Sequence, residues 1–332
     1  MEIQGKDSRP DRPQRPARED PFTREDSAPA LSSPGLAYWC SAIVAYKEIA
    51  PKDMAFMIAQ PRFADACRNS IRSSTVRHGR NRLLTRVTRD ISRLIYGYIV
   101  LYLDARGGIT LSAIQELSRE IGLASPGRAQ AILFHLRAIG YIKTDPASTD
   151  RRSRRYVPSL EMRGSFREVL ADELRAFSLI EPDAGIAADR LIEPEFFRAF
   201  MVRFGRGILV GLQTKPARVI THFAEPNAGL IILWDILSSA QEGDCYPPRG
   251  PLKMSVTELS QKYGVSRSHV FRLLRDAEKL GLLKRNADEQ TGTITDVLAR
   301  DVAEFQVAVF LGLAACCQAA FQMTAAARLQ AE

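Results

Sequence analysis

Histidine, tryptophan and cysteine are scarce in this chain of 332 residues, which holds four, two and five of them. His78, His135, His222 and His269 are scattered, and none stands at metal-ligand spacing from another or from a cysteine. Cys40, Cys67, Cys245, Cys316 and Cys317 form no CxxC pair, so a structural zinc lacks ligands and the expectation is buried thiols in a reducing compartment. The adjacent Cys316 and Cys317 would point in different directions on a helix. A glycine-rich phosphate loop, paired catalytic carboxylates and a nucleophile elbow are also missing. No enzyme is therefore expected, and no cofactor. The N-terminus is charged and proline-rich without the apolar run of a signal peptide, and the longest apolar stretch, residues 307–317, is shorter than a bilayer requires. A cytoplasmic protein without membrane attachment is expected.

What the chain does have is enough apolar residue, 45%, to bury two cores of ordinary size, and a formal charge of +8 with a pI near 9.4. That balance suits an anionic partner, although the placement of the basic residues matters more than their sum. Residues 1–34 mix Pro, Arg, Asp, Glu and Ser with almost no large apolar groups, so burial cannot offset their ordering entropy and a disordered tail is expected.

The most informative stretch is residues 254–285, MSVTELSQKYGVSRSHVFRLLRDAEKLGLLKR. Ser255 and Thr257 can open a short helix, Gly264 can take the left-handed conformation of a sharp turn, and Ser266 is a natural N-cap for a second helix. In that helix Val270, Leu273, Leu274, Ala277 and Leu280 recur at helical spacing and are expected to face a core, turning Ser268, Arg272, Arg275 and Lys279 outward. Residues 282–285 read as a strand, Thr291-Gly292 as a turn and residues 293–295 as the return strand. The pattern predicts a helix-turn-helix with a hairpin behind it, the plan of a winged helix. A major groove accepts one such helix, and Ser266, Arg267, Ser268, His269, Arg272 and Arg275 near its N-terminus are candidate donors to phosphates and base edges.

Upstream, residues 35–50 are expected to form a helix closed by Pro51, and residues 53–70 another interrupted at Pro61. Residues 71–86 hold five arginines and one histidine with no acid, which suits either phosphate contact or a linker beside a helix. Residues 90–104 are densely apolar, as expected of a central buried helix. The chain then repeats itself: Glu116-Leu117-Ser118 aligns with Glu258-Leu259-Ser260, Gly122 with Gly264, Ile132-Leu133 with Leu273-Leu274, and Ile139-Gly140 with Leu280-Gly281. Pro61-Arg62-Phe63 and Pro194-Glu195-Phe196 each open a helix upstream of a copy, and residues 229–238 are the counterpart of residues 91–103. Helices are expected after each hairpin, over residues 163–180 and 300–330. The second is rich in Ala, Gly and Cys, so it suits a subunit interface of a homodimer, a domain interface or an internal core.

The copies are not equivalent. Residues 148–157 of the first, STDRRSRRYV, put Arg151, Arg152, Arg154 and Arg155 behind Asp150 at a hairpin tip, where guanidinium groups suit a minor groove and its phosphates. The second tip, NADEQTG, is acidic. Conversely Ser268, Arg272 and Arg275 align with Gly127, Ala131 and Phe134, leaving the first helix with Arg128, Gln130 and His135 as its polar equipment.

Residues 140–158, GYIKTDPASTDRRSRRYVP, resemble the MarR family of winged-helix regulators, whose wing carries an Asp-Arg-Arg segment after a glycine, two apolar residues and a basic one. The resemblance spans residues 91–177. It implies a minor-groove role for Arg152, with Asp150 helping to hold it. Members usually carry one module per chain and dimerise through terminal helices, whereas this chain has two, and the second lacks the wing motif.

The expectation is therefore a mainly α chain with tandem winged helix-turn-helix domains, an internal duplication with small β-hairpin wings and extra flanking helices. The tail covers residues 1–34, the first domain 35–182 and the second 183–332. Its function would be sequence-specific recognition of double-stranded DNA by an intrachain pseudo-dimer that regulates transcription. The alternatives are a winged-helix scaffold for protein interaction, of the chromosome-segregation kind, and a plasmid-type replication initiator. A small-molecule effector between apolar helices, near a tryptophan such as Trp234, is a further reading, against a core role for that tryptophan.

Overall fold

Two stretches of the chain run strand, helix, helix, strand, strand, helix, and each is preceded by an apolar helix. The computed structural model describes residues 43–44, 48–49, 51–80, 84–85, 87, 91–120, 125–148, 154–213, 218–224, 226–241, 245–287 and 290–330. Among these the architecture is mainly helical, with small antiparallel sheets.

A short hairpin of β1 (Ile43–Val44) and β2 (Glu48–Ile49) precedes α1 (Pro51–Ile58) and α2 (Phe63–Arg80). These strands replace the helix expected over residues 35–50: β-branched Ile43, Val44 and Ile49 favour pairing, and Pro51 opens a helix rather than closing one, since its missing N–H costs nothing in a first turn. Next come α3 (Ile91–Ala105), β3 (Ile109–Thr110), α4 (Leu111–Glu120), α5 (Pro126–Ala138), β4 (Ile142–Thr144), β5 (Arg155–Pro158) and α6 (Leu160–Phe177). After α7 (Asp183–Arg190), α8 (Pro194–Gln213) and α9 (Arg218–Ala224), the order repeats. It runs α10 (Gly229–Ser238), β6 (Leu252–Lys253), α11 (Val256–Tyr263), α12 (Arg267–Lys279), β7 (Leu283–Arg285), β8 (Thr291–Ile294) and α13 (Asp296–Leu329).

The two three-stranded sheets share one topology, β3-β5-β4 and β6-β8-β7, and their registers correspond: Ile142 faces Pro158 and Leu283 faces Ile294. The return strand β8 already includes Thr291 and Gly292, which were expected to form the turn. Gly292 sits where any Cβ would meet the Lys284 carbonyl oxygen at 2.5 Å and the Met254 sulfur at 2.8 Å, so glycine serves close packing here.

Helix α2 packs against α6 of its own half and α10 of the other, while α8 packs against α13 of its own half and α3 of the other. Glycines allow this approach. Between the halves a Cβ on Gly205 of α8 would lie 2.3 Å from the Tyr102 ring on α3, and within the first half one on Gly97 of α3 would lie 2.2 Å from Phe166 on α6.

Two buried clusters result, and the larger draws on both sides of residue 182: Phe166, Leu170 and Phe177 of α6, Phe196 and Phe200 of α8, and Phe310, Leu311 and Ala314 of α13. Each fully buried aromatic or aliphatic side chain contributes roughly 1.5–3 kcal/mol. The smaller cluster holds Leu259, Val270, Leu274, Leu283 and Trp234 together with Leu298 and Val302, so α13 runs through both. Within its run of small residues Leu313, Ala314, Ala315, Cys316, Cys317 and Ala320 are buried in the chain's own core. The apolar window in α13 also extends beyond residues 307–317. The helix is long and apolar enough to cross a bilayer by length and composition, with 56% of its most apolar window buried inside the fold.

Candidate nucleic-acid interface

Local signals fix the helix pair of the second unit. The Ser255 hydroxyl accepts from the Glu258 amide, Gly264 closes α11 in the left-handed region at φ 60°, and the Ser266 hydroxyl accepts from the His269 amide to start α12. Val270, Leu273, Leu274 and Ala277 are buried as the periodicity requires. Leu280 is not: it caps the C-terminus of α12 and is 62% exposed, because the last turn has passed the edge of the core.

The opposite face of α12 presents Arg267, Ser268, Phe271 and Arg272 to solvent, and among the described residues neither Arg267 nor Arg272 has an ion-pair partner. Arg275 is half-buried, pairs with Asp276 at 3.3 Å and lies over the Phe271 ring at 5.9 Å. Ser268 and the capping Ser266 share a hydroxyl contact of 3.1 Å. His269 is turned aside: its Nε2 donates to the Asn227 carbonyl at 2.8 Å, anchoring α12 to the turn before α10. A second histidine does the same further along, His222 Nε2 donating to the Leu273 carbonyl at 3.1 Å.

Arg285, at the base of the second hairpin, was absent from the sequence-based site. Its side chain is only 8% exposed, donates from Nε and Nη2 to Glu278 Oε2 at 3.3 and 3.2 Å, and lies over Phe271 at 5.5 Å from the ring centroid. Its backbone N–H donates to Glu278 Oε1 at 3.1 Å. These bonds, the backbone one foremost, hold the Glu278 carboxyl below its ordinary pKa. Phe271 is thus a platform between two guanidinium groups. Its signal was a large apolar residue in an otherwise polar face.

In the first unit α5 is capped by Ser125, whose hydroxyl accepts from the Arg128 amide at 3.3 Å, and buries Ala129, Ile132, Leu133 and Leu136. Its outward face carries Gly127, Arg128, Ala131 and Phe134, the last 48% exposed, with Gln130 half-buried. Arg154 and Arg155 lead into β5 and are exposed, and the Arg155 backbone is fixed by Ser148 and Asp145 across the hairpin. Asp150, Arg151 and Arg152 lie outside the described residues, as do the turn at Gly122 and the tail over residues 1–34.

The basic run over residues 71–86 is helical through Arg80 and faces inward in part. Thr75 and His78 are buried, and Arg77 pairs with Glu168 at 2.6 Å and with Asp172. Through Arg80 it joins the two halves, with Arg72 and Arg80 exposed, and Arg82 and Arg86 lie outside the described residues. Trp234 is 7% exposed, in the smaller core, with its ring 5.7 Å from that of Phe305.

Comparison of the chain with protein-family models, with curated proteins and with solved structures gives no match.

Proposed function

We propose that the two repeated units are tandem winged helices of one duplicated, MarR-like chain, and that the protein is a sequence-specific double-stranded DNA-binding regulator of transcription. It is not an enzyme, needs no cofactor and works in the cytoplasm. The observation that carries this reading is the outward face of α12, where Arg267, Ser268 and Arg272 stand exposed beside the helix N-terminus without internal ion pairs among the described residues. A helix end with free donors favours phosphate, and Arg272, about one turn on from Ser268, can reach base edges beyond it. The reciprocal packing of α2 and α8 onto the opposite halves supports an intrachain pseudo-dimer. Arg154 and Arg155 at the first hairpin add a second basic surface, of the kind that enters minor grooves.

The test is selection of duplexes from a random library by the purified full chain, followed by anisotropy titrations across salt concentrations. An enriched motif and a steep fall of affinity with salt are expected. A logarithmic salt slope near zero overturns the phosphate-contact account. One observation favours a second reading, a protein-interaction scaffold: the outward face of α5 is largely apolar through Ala131 and Phe134. Under that reading alanines in place of Arg151, Arg152, Arg154 and Arg155 leave partner binding intact.

A further inference from the structure

Between the halves, where α2 and α6 meet α10, lies a cavity of about 110 Å³. Its volume far exceeds the roughly 10–15 Å³ a single water requires and approaches the ~150 Å³ of apolar cavities that admit benzene. The wall from the second half is apolar, with Leu230, Ile231 and Trp234. The wall from the first half carries Arg77, Asp172 and Glu173.

Among the described residues these charges do not balance. Arg77 is committed to Glu168 and Asp172 on α6. Glu173 has hydroxyl partners: Ser70 donates to Oε2 at 2.7 Å and Ser74 to Oε1 at 3.4 Å. Among the described residues it has no cationic partner within ion-pair distance. His78, also on the wall, sets its ring edge-on to Tyr263 at 5.2 Å. Burial and the neighbouring Asp172 push the Glu173 carboxyl above its ordinary pKa, against the pull of the two hydroxyls. A carboxylate partly withdrawn from water, with no counter-ion among the described residues, is relieved in one of two ways, by a proton or by a cationic guest.

We propose that this cavity binds a small aromatic monocation, an ammonium or amidinium on a single ring, with its charge on Glu173 and its ring against the apolar wall around Trp234. The apolar wall excludes strongly hydrated inorganic ions, and an acid without a cationic partner among the described residues disfavours anionic rings. The site stands independently of the DNA reading. The same segment that supplies Leu230 and Ile231 is preceded by His222 and Asn227, which are hydrogen-bonded to Leu273 and His269 of α12, so occupancy is mechanically close to that helix.

The experiment is calorimetric titration of the full chain with benzylammonium, benzyl alcohol and benzoate. Benzylammonium is expected to bind saturably at one site, with the other two at least about tenfold weaker. Glu173→Gln, isosteric and neutral, is expected to lower benzylammonium affinity by about tenfold or more and leave benzyl alcohol unchanged. Val169→Phe, which narrows the cavity from α6, is expected to weaken benzylammonium and benzyl alcohol alike. No saturable heat with benzylammonium, equal affinity for all three probes, or unaltered benzylammonium binding in either variant would overturn the proposal.

Discussion

Arg285 of β7 closes on Glu278 of α12 through three hydrogen bonds, two from its guanidinium and one from its own backbone N–H, fixing the second hairpin to the helix in front of it. Neither residue is paired this way by sequence proximity alone, since a turn lies between them.

Glu278→Ala is therefore expected to destabilise the fold by about 1–3 kcal/mol, because Arg285 is nearly enclosed and loses its acceptors. The depressed Glu278 pKa sets the sign of a pH effect. The native state binds its proton less readily than the unfolded chain, so this stabilisation is complete above the ordinary carboxylate range and fades as pH falls through the lowered value. The effect is moderated by the partial exposure of Glu278. Denaturant melts of Glu278→Gln are expected to show a shallower acid limb than the parent, and an identical limb would refute the assignment.

Glu173 carries the opposite sign. Its pKa is raised, so the native state holds a proton that the unfolded chain has released, and wild-type stability drops as pH climbs from the ordinary carboxylate range through the raised value. Glu173→Gln is expected to match the wild type in acid and exceed it at neutral and alkaline pH. Equal pH profiles for the two proteins would contradict that account.

The helix crossings at glycine make a sharper structural test. Gly205→Ala and Gly97→Ala force a methyl group onto the rings of Tyr102 and Phe166, and each is expected to cost about 1–3 kcal/mol by thermal melting. Gly164→Ala on α6 meets nothing within 4 Å and is expected to stabilise by about 0.5–1 kcal/mol. A reversal of that order at Gly205 would mean the halves do not approach as described, and one at Gly97 that α3 and α6 do not cross as described within the first half.

On duplex DNA the proposed surfaces separate by kind of loss. Arg272→Ala is expected to cost roughly 1–3 kcal/mol on the selected site and to relax its sequence preference, as loss of a base contact should. Replacing Arg151, Arg152, Arg154 and Arg155 with alanine is expected to weaken all duplexes together and flatten the salt dependence. Phe271→Ala is expected to follow Arg272→Ala in direction, since it removes the platform under Arg275. If both sets of variants bind like the parent, the basic faces have another purpose.

The second helix pair was legible because its signals are local: a serine cap, a left-handed glycine and an apolar stripe of four residues all lie within one short stretch. What escaped was set by distant partners. The basic run over residues 71–86 read equally as a phosphate contact or a linker because the acids that meet Arg77 lie 91 and 95 residues away, on α6. Leu280 fitted the stripe but fell past the edge of the core, and β1 and β2 arose where a helix was expected, since alanine-rich local propensity yielded to pairing by β-branched residues. Of the site, the exposed arginines of α12 were foreseeable, whereas the clasp at Glu278, the tether at Asn227 and the cavity beside Glu173 required the assembled halves.

Because α13 threads Leu298 and Val302 into one cluster and Phe310 and Ala314 into the other, severing the polypeptide after residue 182 would leave the leading fragment missing pieces of its own interior. The halves are consequently obliged to melt together, and neither can be borrowed as a standalone module by fusion or recombination unless the terminal helix travels with it.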